Sequence, residues 1–126
     1  MKSVLVDTSV WRAYFRGHAG VRGLGELLDD ESAVLVHPFI VGEMVMGGLS
    51  AREEGLFARL PRAVTVAHEE VLGFVRARRL IRRGIGWVDA HLLASALTSS
   101  AVLWSLDAAL SAAAGDLNVG FPAATN

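Results

Sequence analysis

The stretch Met1-Lys2-Ser3-Val4-Leu5-Val6-Asp7-Thr8-Ser9-Val10-Trp11 decides the fold. Val4-Leu5-Val6 is a short apolar run that stops on an aspartate, and a helical pattern begins after two hydroxyl residues. With no turn between strand and helix, Asp7 sits at the strand's carboxyl end. In open α/β sheets that edge is where ligands bind. A carboxylate and two hydroxyls there offer oxygen ligands to a hard cation such as Mg²⁺. The same residue types also cap helices, so both roles stay open for Asp7 at this point.

Working outward, the spacing predicts helices from Thr8 to about Arg16 and from Val21 to Asp30, then a strand over 33–36. His37-Pro38 opens a third helix, with Pro38 suited to a first turn, and Gly47-Gly48 ends it. Ser50-Ala51-Arg52-Glu53 has the form of a capping box and starts a fourth. Pro61 stops that helix before a strand over 63–66. A long helix is expected from His68 to Arg83, another from Trp87 to Ser99, a strand over 101–104, a helix from Ala108 to Ala114, and a short edge strand over 118–121. Alternating strands and helices with apolar strands predict an α/β fold. The expected form is a three-layer α/β/α sandwich around a central parallel sheet of four to five strands, folded as one domain over residues 1–126.

The 126 residues are 52% hydrophobic and 20% charged, which excludes a disordered chain. There is no cysteine, so a disulfide framework, a thiolate zinc site and a cysteine nucleophile are excluded. Too few apolar residues follow Lys2 for a signal peptide. The most apolar stretch, 33–49, contains His37, Pro38 and Glu43 and falls short of a membrane span. A cytoplasmic protein with no membrane partner is the expectation. A net charge of −1 gives no overall pull toward nucleic acid, so a basic patch or a bound cation would have to supply it.

Three further carboxylates stand in uncongenial surroundings. Glu43 lies in Phe39-Ile40-Val41-Gly42-Glu43-Met44-Val45-Met46, a helix apolar all round and therefore expected to be buried. A buried carboxylate needs compensation by a basic partner or a metal; the alternative is that Glu43 reaches solvent at the helix edge. Asp89 occupies the first turn of another apolar helix, with Leu92, Leu93 and Ala96 on its face; a helix-dipole contact is the plainer reading. His91 does not share that face and reads as surface or core filler, not as a ligand. Asp107 follows the strand 101–104 as Asp7 follows the first, and capping again competes with ligation. Parallel strands share direction, so both strand-end carboxylates belong at one edge.

The segments Val6-Asp7-Thr8-Ser9-Val10-Trp11, Gly42-Glu43, Trp87-Val88-Asp89-Ala90-His91-Leu92-Leu93-Ala94-Ser95-Ala96 and Leu103-Trp104-Ser105-Leu106-Asp107 together resemble the PIN domain, specifically the VapC-type toxin ribonucleases. The resemblance runs over nearly the whole chain in order. It implies a Mg²⁺- or Mn²⁺-dependent endoribonuclease whose acidic quartet falls on Asp7, Glu43, Asp89 and Asp107. It also implies a homodimer inhibited by a VapB-type antitoxin. Where that family often has a further acidic residue, this chain offers Asp116, which is left outside the expected site.

Phosphodiester hydrolysis needs an activated water and stabilised oxygens on either side of the phosphate, which divalent cations supply. Asp7 and Asp89 are the expected central ligands. Glu43 and Asp107 are expected nearer a second ion or the attacking water, with Thr8 or Ser9 orienting a ligand. Crowded carboxylates repel, so at least one should hold its proton more tightly than usual. Arg76, Arg78, Arg79, Arg82 and Arg83 would span an arc of roughly 160° on one helix, a solvated face or a phosphate contact. Val41, Met44, Val45, Leu49, Leu56 and Phe57 exceed one small core's needs; core packing or a protein-binding groove would account for them. A haloacid-dehalogenase-type phosphatase would need an aspartate where Ser9 stands. A catalytically inactive PIN-like binding module, with carboxylates serving as caps and ion pairs, is the alternative.

Overall fold

The computed structural model describes residues 2–122, so residue 1 and residues 123–126 of the expected domain lie outside the described part. The elements are β1 (Val4–Val6), α1 (Thr8–Phe15), α2 (Gly23–Leu28), β2 (Val34–Leu35), α3 (Pro38–Met46), α4 (Ala51–Arg59), α5 (His68–Ala77), α6 (Trp87–Thr98), β3 (Val102–Trp104) and α7 (Ala108–Asp116). Short 3₁₀ turns at Ala19–Val21 and Glu31–Ala33 flank α2.

β1 is the central strand of a parallel sheet in the order β2-β1-β3. Val4 and Leu5 pair with Val34 and Leu35, and Val4, Leu5 and Val6 pair with Val102, Leu103 and Trp104. Successive strand side chains point to opposite faces. All three of β1 are buried, so both faces of the sheet are covered.

Among the described residues the sheet has three strands, not the four to five expected. The segment 63–66 contributes no bridge; the one beside it joins Val36 to Arg62, just before the segment. Val64 is exposed, and its N–H donates to Ser99 Oγ at 2.9 Å instead of to a strand. The segment 118–121 contributes only the bridge Leu103 to Gly120. Gly120 passes so close to Gly115 that a Cβ there would lie 3.3 Å from its backbone. Pro122 follows and cannot donate to a ladder.

The capping box of α4 forms as the sequence indicated, with Ser50 Oγ accepting from Glu53 N–H and Glu53 accepting from Ser50 N–H. At α3, His37 caps with its ring: Phe39 N–H donates to Nδ1 at 3.0 Å, and Pro38 takes the first turn. The helix is not enclosed, however. It packs against α1 and buries Ile40 and Met44, while Phe39, Val45 and Met46 stand in solvent. Glu43 is exposed too, so it reaches solvent at the helix edge and is not the buried carboxylate that the apolar helix suggested. A uniformly apolar helix on a small domain has only one face to give the core. Met44 and Phe57 do enter the core, Val41, Leu49 and Leu56 pack at its margin, and Val45 does neither.

His37 is buried, its Nε2 has no partner among the described residues, and burial followed by the nearby His91 pushes its pKa down to about 4. An unfolded chain would protonate this ring near 6.5. Between those values the unfolded state binds the extra proton, so stability is complete above pH 6.5 and falls as pH drops toward 4. At ~1.36 kcal/mol per pH unit, the expected loss is at most about 3 kcal/mol. Denaturant titrations at pH 7.5 and pH 5 measure it. His37→Asn keeps a capping group and should flatten the slope; an unchanged slope would refute the assignment.

The helix expected from His68 to Arg83 ends at Ala77. Leu80 N–H reaches back to Val75 O at 3.0 Å and Arg79 N–H to Arg76 O at 3.3 Å. That is a Schellman termination. It requires a left-handed residue, and Arg79 supplies it with φ 56° where glycine is usual. Burial of Leu80 explains the turn, because continuing the helix would withdraw it from the core. The arginines therefore do not share one helical arc. Arg76, Arg78, Arg79 and Arg82 lie exposed at the helix end and in the following loop, while Arg83 pairs with Asp116 at 2.7 Å.

Candidate active site

β1 and β3 end side by side, and this brings Asp7 next to the turn that carries Ser105 and Asp107. Asp7 occupies the N-cap position of α1 but its side chain makes no capping bond. Its Oδ2 instead accepts from Ser9 Oγ at 2.7 Å and from Ser105 Oγ at 2.9 Å. Both hydroxyls are oriented by the backbone behind them. Leu106 N–H donates to Ser9 Oγ and Asp107 N–H donates to Ser105 Oγ, each at 3.0 Å. The hydroxyl protons are thus directed onto the carboxylate. Oδ1 has no hydrogen-bond partner among the described residues and is left to face a ligand.

Asp107 does cap its helix, accepting from Leu110 N–H through Oδ1 at 2.9 Å. Glu43 extends from α3 to α1, where Thr8 Oγ1 donates to its Oε1 at 3.0 Å. Asp89, half-buried in the first turn of α6, accepts from Gly86 N–H at 3.0 Å. Burial raises the pKa of the Asp89 carboxyl above its ordinary value, and the Gly86 N–H opposes this. The negative charges of Asp7, Asp107 and Glu43 add to the rise. The four carboxylates therefore share one electrostatic neighbourhood. Among the described residues none of them forms an ion pair; the two that occur join Arg59 to Glu31 and Arg83 to Asp116. Asp116 is engaged elsewhere.

The donor set is entirely oxygen: four carboxylates, with Thr8, Ser9 and Ser105 around them. That chemistry suits Mg²⁺ or Mn²⁺. Among the described residues no three acidic or imidazole side chains already converge on one point as a closed ion site. Each carboxylate is turned to its own local donor, so holding an ion would call for side-chain rotation. The donors fit; their spacing is open.

Sequence reasoning gave Ser105 no role. The available signal was a hydroxyl at a strand end two residues before an aspartate, the pattern of a side chain that turns back on its own backbone. His91 is buried, as a filler residue would be.

A family model described as the PIN domain matches residues 4–116. The chain belongs to the PIN-domain family. Ribonuclease VapC32 of Mycobacterium tuberculosis, in strain CDC 1551 / Oshkosh and in strain ATCC 25618 / H37Rv alike, is 43% identical over 119 residues, covering 92% of this chain and 94% of the relative. Within the family the chain is thus of the VapC type. The crystal structure of PAE2754 from Pyrobaculum aerophilum is similar in fold, with a TM-score of 0.57 at 17% identity, covering 89% of this chain and 79% of that one. No helix among the described residues is long and apolar enough to cross a membrane.

Proposed function

We propose that this protein is a divalent-cation-dependent endoribonuclease, the toxin of a toxin–antitoxin pair, that hydrolyses RNA phosphodiester bonds at Asp7, Glu43, Asp89 and Asp107. One observation carries the reading. Asp7, Glu43 and Asp107 lie near enough to Asp89 for their charges to add to the burial that raises its pKa, and among the described residues none of the four forms an ion pair. Excess negative charge at a strand-end crevice calls for a cation. A ribonuclease 43% identical over most of the chain supports RNA as substrate.

Asp7 and Asp89 would hold Mg²⁺ or Mn²⁺, with Asp107 and Glu43 at its margin. When bound, such an ion lowers the pKa of water and stabilises the oxygens around the phosphorus. The chain's own contribution is positional. Ser9 and Ser105 fix Asp7, Thr8 holds one Glu43 oxygen, and the other Glu43 oxygen is free to accept the proton of the attacking water. Exposed Arg76, Arg78, Arg79 and Arg82 supply local positive charge for a backbone that the net charge of −1 does not attract.

A VapB-type antitoxin and a second copy of the chain are the proposed protein partners. Exposed Val45 and Met46 on α3 support such contacts, since methionine adapts to varied partners. The experiment is incubation of purified protein with structured and unstructured RNA in Mg²⁺, Mn²⁺ or EDTA. Cleavage should require the ion. Cleavage that survives EDTA would overturn the reading, and none under any metal would favour the inactive binding module.

A further inference from the structure

Thr8 is not alone on its side of α1. Arg12 and Arg16 follow it at intervals of four residues and so lie along the same face. Arg16 closes the helix without leaving its register, since its N–H still donates to Arg12 O at 3.2 Å. The spacing puts Arg12 about 6 Å and Arg16 about 12 Å beyond Thr8 along the axis. Thr8 is the residue whose hydroxyl holds Glu43 at 3.0 Å. A row of two cations thus starts one helical turn from a carboxylate of the crevice and leads away from it.

α3 runs beside this row. Glu43 and Gly47 are again four residues apart, and a Cβ on Gly47 would stand 3.9 Å from Arg12 Nη2. Thr8 therefore meets α3 at Glu43, and Arg12 meets it one turn on. The surface on either side of Arg12 is open. One depression of about 520 Å³ is lined by Glu43, Phe39 and Met46, with Arg12 as its only cation. The next, of about 240 Å³, is lined by Arg12, Arg16, Gly47, Gly48 and Leu49. Both arginines are exposed, and among the described residues neither joins an ion pair. Glu53, the one acid lining the second depression, is taken by Ser50 N–H in the capping box at 3.0 Å. Two unneutralised guanidinium groups a helical turn apart suit a ligand that repeats its negative charge, and their planar forks match phosphate oxygens. Because the row begins at Glu43, the backbone of the strand being cut fits it better than a separate partner does.

We infer that Arg12 and Arg16 form a phosphate track that carries one flank of the RNA away from the scissile bond along the groove between α1 and α3. This rests on the ribonuclease reading above and assigns a binding surface to the substrate of that site.

The test is cleavage in Mn²⁺ of a fluorescein-labelled unstructured RNA at several KCl concentrations. The proteins are the wild type, Arg12→Ala, Arg16→Ala, the double alanine variant and Arg12→Lys. If the wild type cleaves no RNA, the ribonuclease reading fails and the track falls with it. If it cleaves, each single alanine variant should raise KM roughly tenfold, the loss of one charge-assisted contact. The maximal rate and the Mn²⁺ affinity by calorimetry should stay near the wild-type values. The slope of log KM against log salt should flatten by about 0.7 for each arginine removed, as when one single-strand phosphate contact is lost. Arg12→Lys keeps the charge and should keep the wild-type slope. Shortening the RNA on one of the two sides of the mapped cut should weaken the wild type but not the double variant. An unchanged KM and an unchanged slope in both alanine variants would overturn the inference while leaving the nuclease standing. Variants that keep KM but lose thermal stability would assign the arginines to the dipole at the end of α1. Variants that keep KM but alter oligomeric state by light scattering would assign them to a protein contact. Either result also overturns the inference.

Discussion

Replacing Asp7 by asparagine is expected to reduce RNA cleavage on the order of a thousandfold or more while the protein stays folded. Asparagine keeps the shape and one acceptor oxygen, so Ser9 and Ser105 retain a partner for at least one of their hydroxyls. What disappears is the negative charge. A cation contributes several kcal/mol to the transition state of phosphodiester hydrolysis. At ~1.36 kcal/mol per decade, an Asp7 that holds the ion as proposed would take three or more decades of rate with it. Paired measurements check this: cleavage in Mn²⁺, and Mn²⁺ binding by calorimetry. Cleavage and ion affinity both at the wild-type level would remove Asp7 from the site. Thermal unfolding near the wild-type midpoint would show that the loss is chemical.

The largest effect on stability is expected at Trp11. Its ring is fully buried and meets Phe57 edge-on at 4.8 Å, Phe15 stacked at 5.7 Å and Tyr14 edge-on at 6.2 Å. Truncating a buried tryptophan to alanine costs about 3–5 kcal/mol in lost burial and cavity formation. Domains are stable by only about 5–15 kcal/mol, so Trp11→Ala should be largely or wholly unfolded at moderate denaturant. Trp11→Phe should cost much less. Trp11 Nε1 is buried without a partner among the described residues, and phenylalanine removes that donor along with part of the ring. Urea unfolding of both variants tests the pair. A loss below about 1 kcal/mol for alanine would mean that the aromatic cluster repacks around the gap.

Local chemistry was the most legible part of the sequence. The strand that stops on Asp7, the capping box at Ser50 and the proline start of α3 each follow from two or three neighbouring residues, and each has its structural counterpart. The placing of Asp7 and Asp107 at one edge followed from strand direction alone. What could not be read were outcomes decided by distant neighbours. Glu43 sits in an apolar helix, but only packing decides which face of that helix meets the core. Leu80 looked like another helical residue until its burial pulled the chain into a left-handed turn at Arg79. The segments 63–66 and 118–121 have strand composition, but a side-chain hydroxyl from Ser99 and a close glycine pass at Gly115 leave the first with no bridge and the second with one. Ser105 acquires its importance only through a carboxylate 98 residues earlier.

That 98-residue separation bears on when the protein can become active. Ribosomes deliver β1 first, yet its two sheet partners lie at Val34–Leu35 and Val102–Trp104. A nascent chain can pair β1 with β2 early, but Asp7 lacks one of its two hydroxyl donors until Ser105 has been made. The carboxylate of Asp107 comes later still. Contacts so remote in sequence form slowly, because the intervening loop must close before they are rewarded. The growing polypeptide therefore carries a separated set of acidic residues for most of its synthesis, and the crevice is assembled only as the last elements emerge. The proposed site is therefore incomplete in any nascent chain that has not yet reached residue 107.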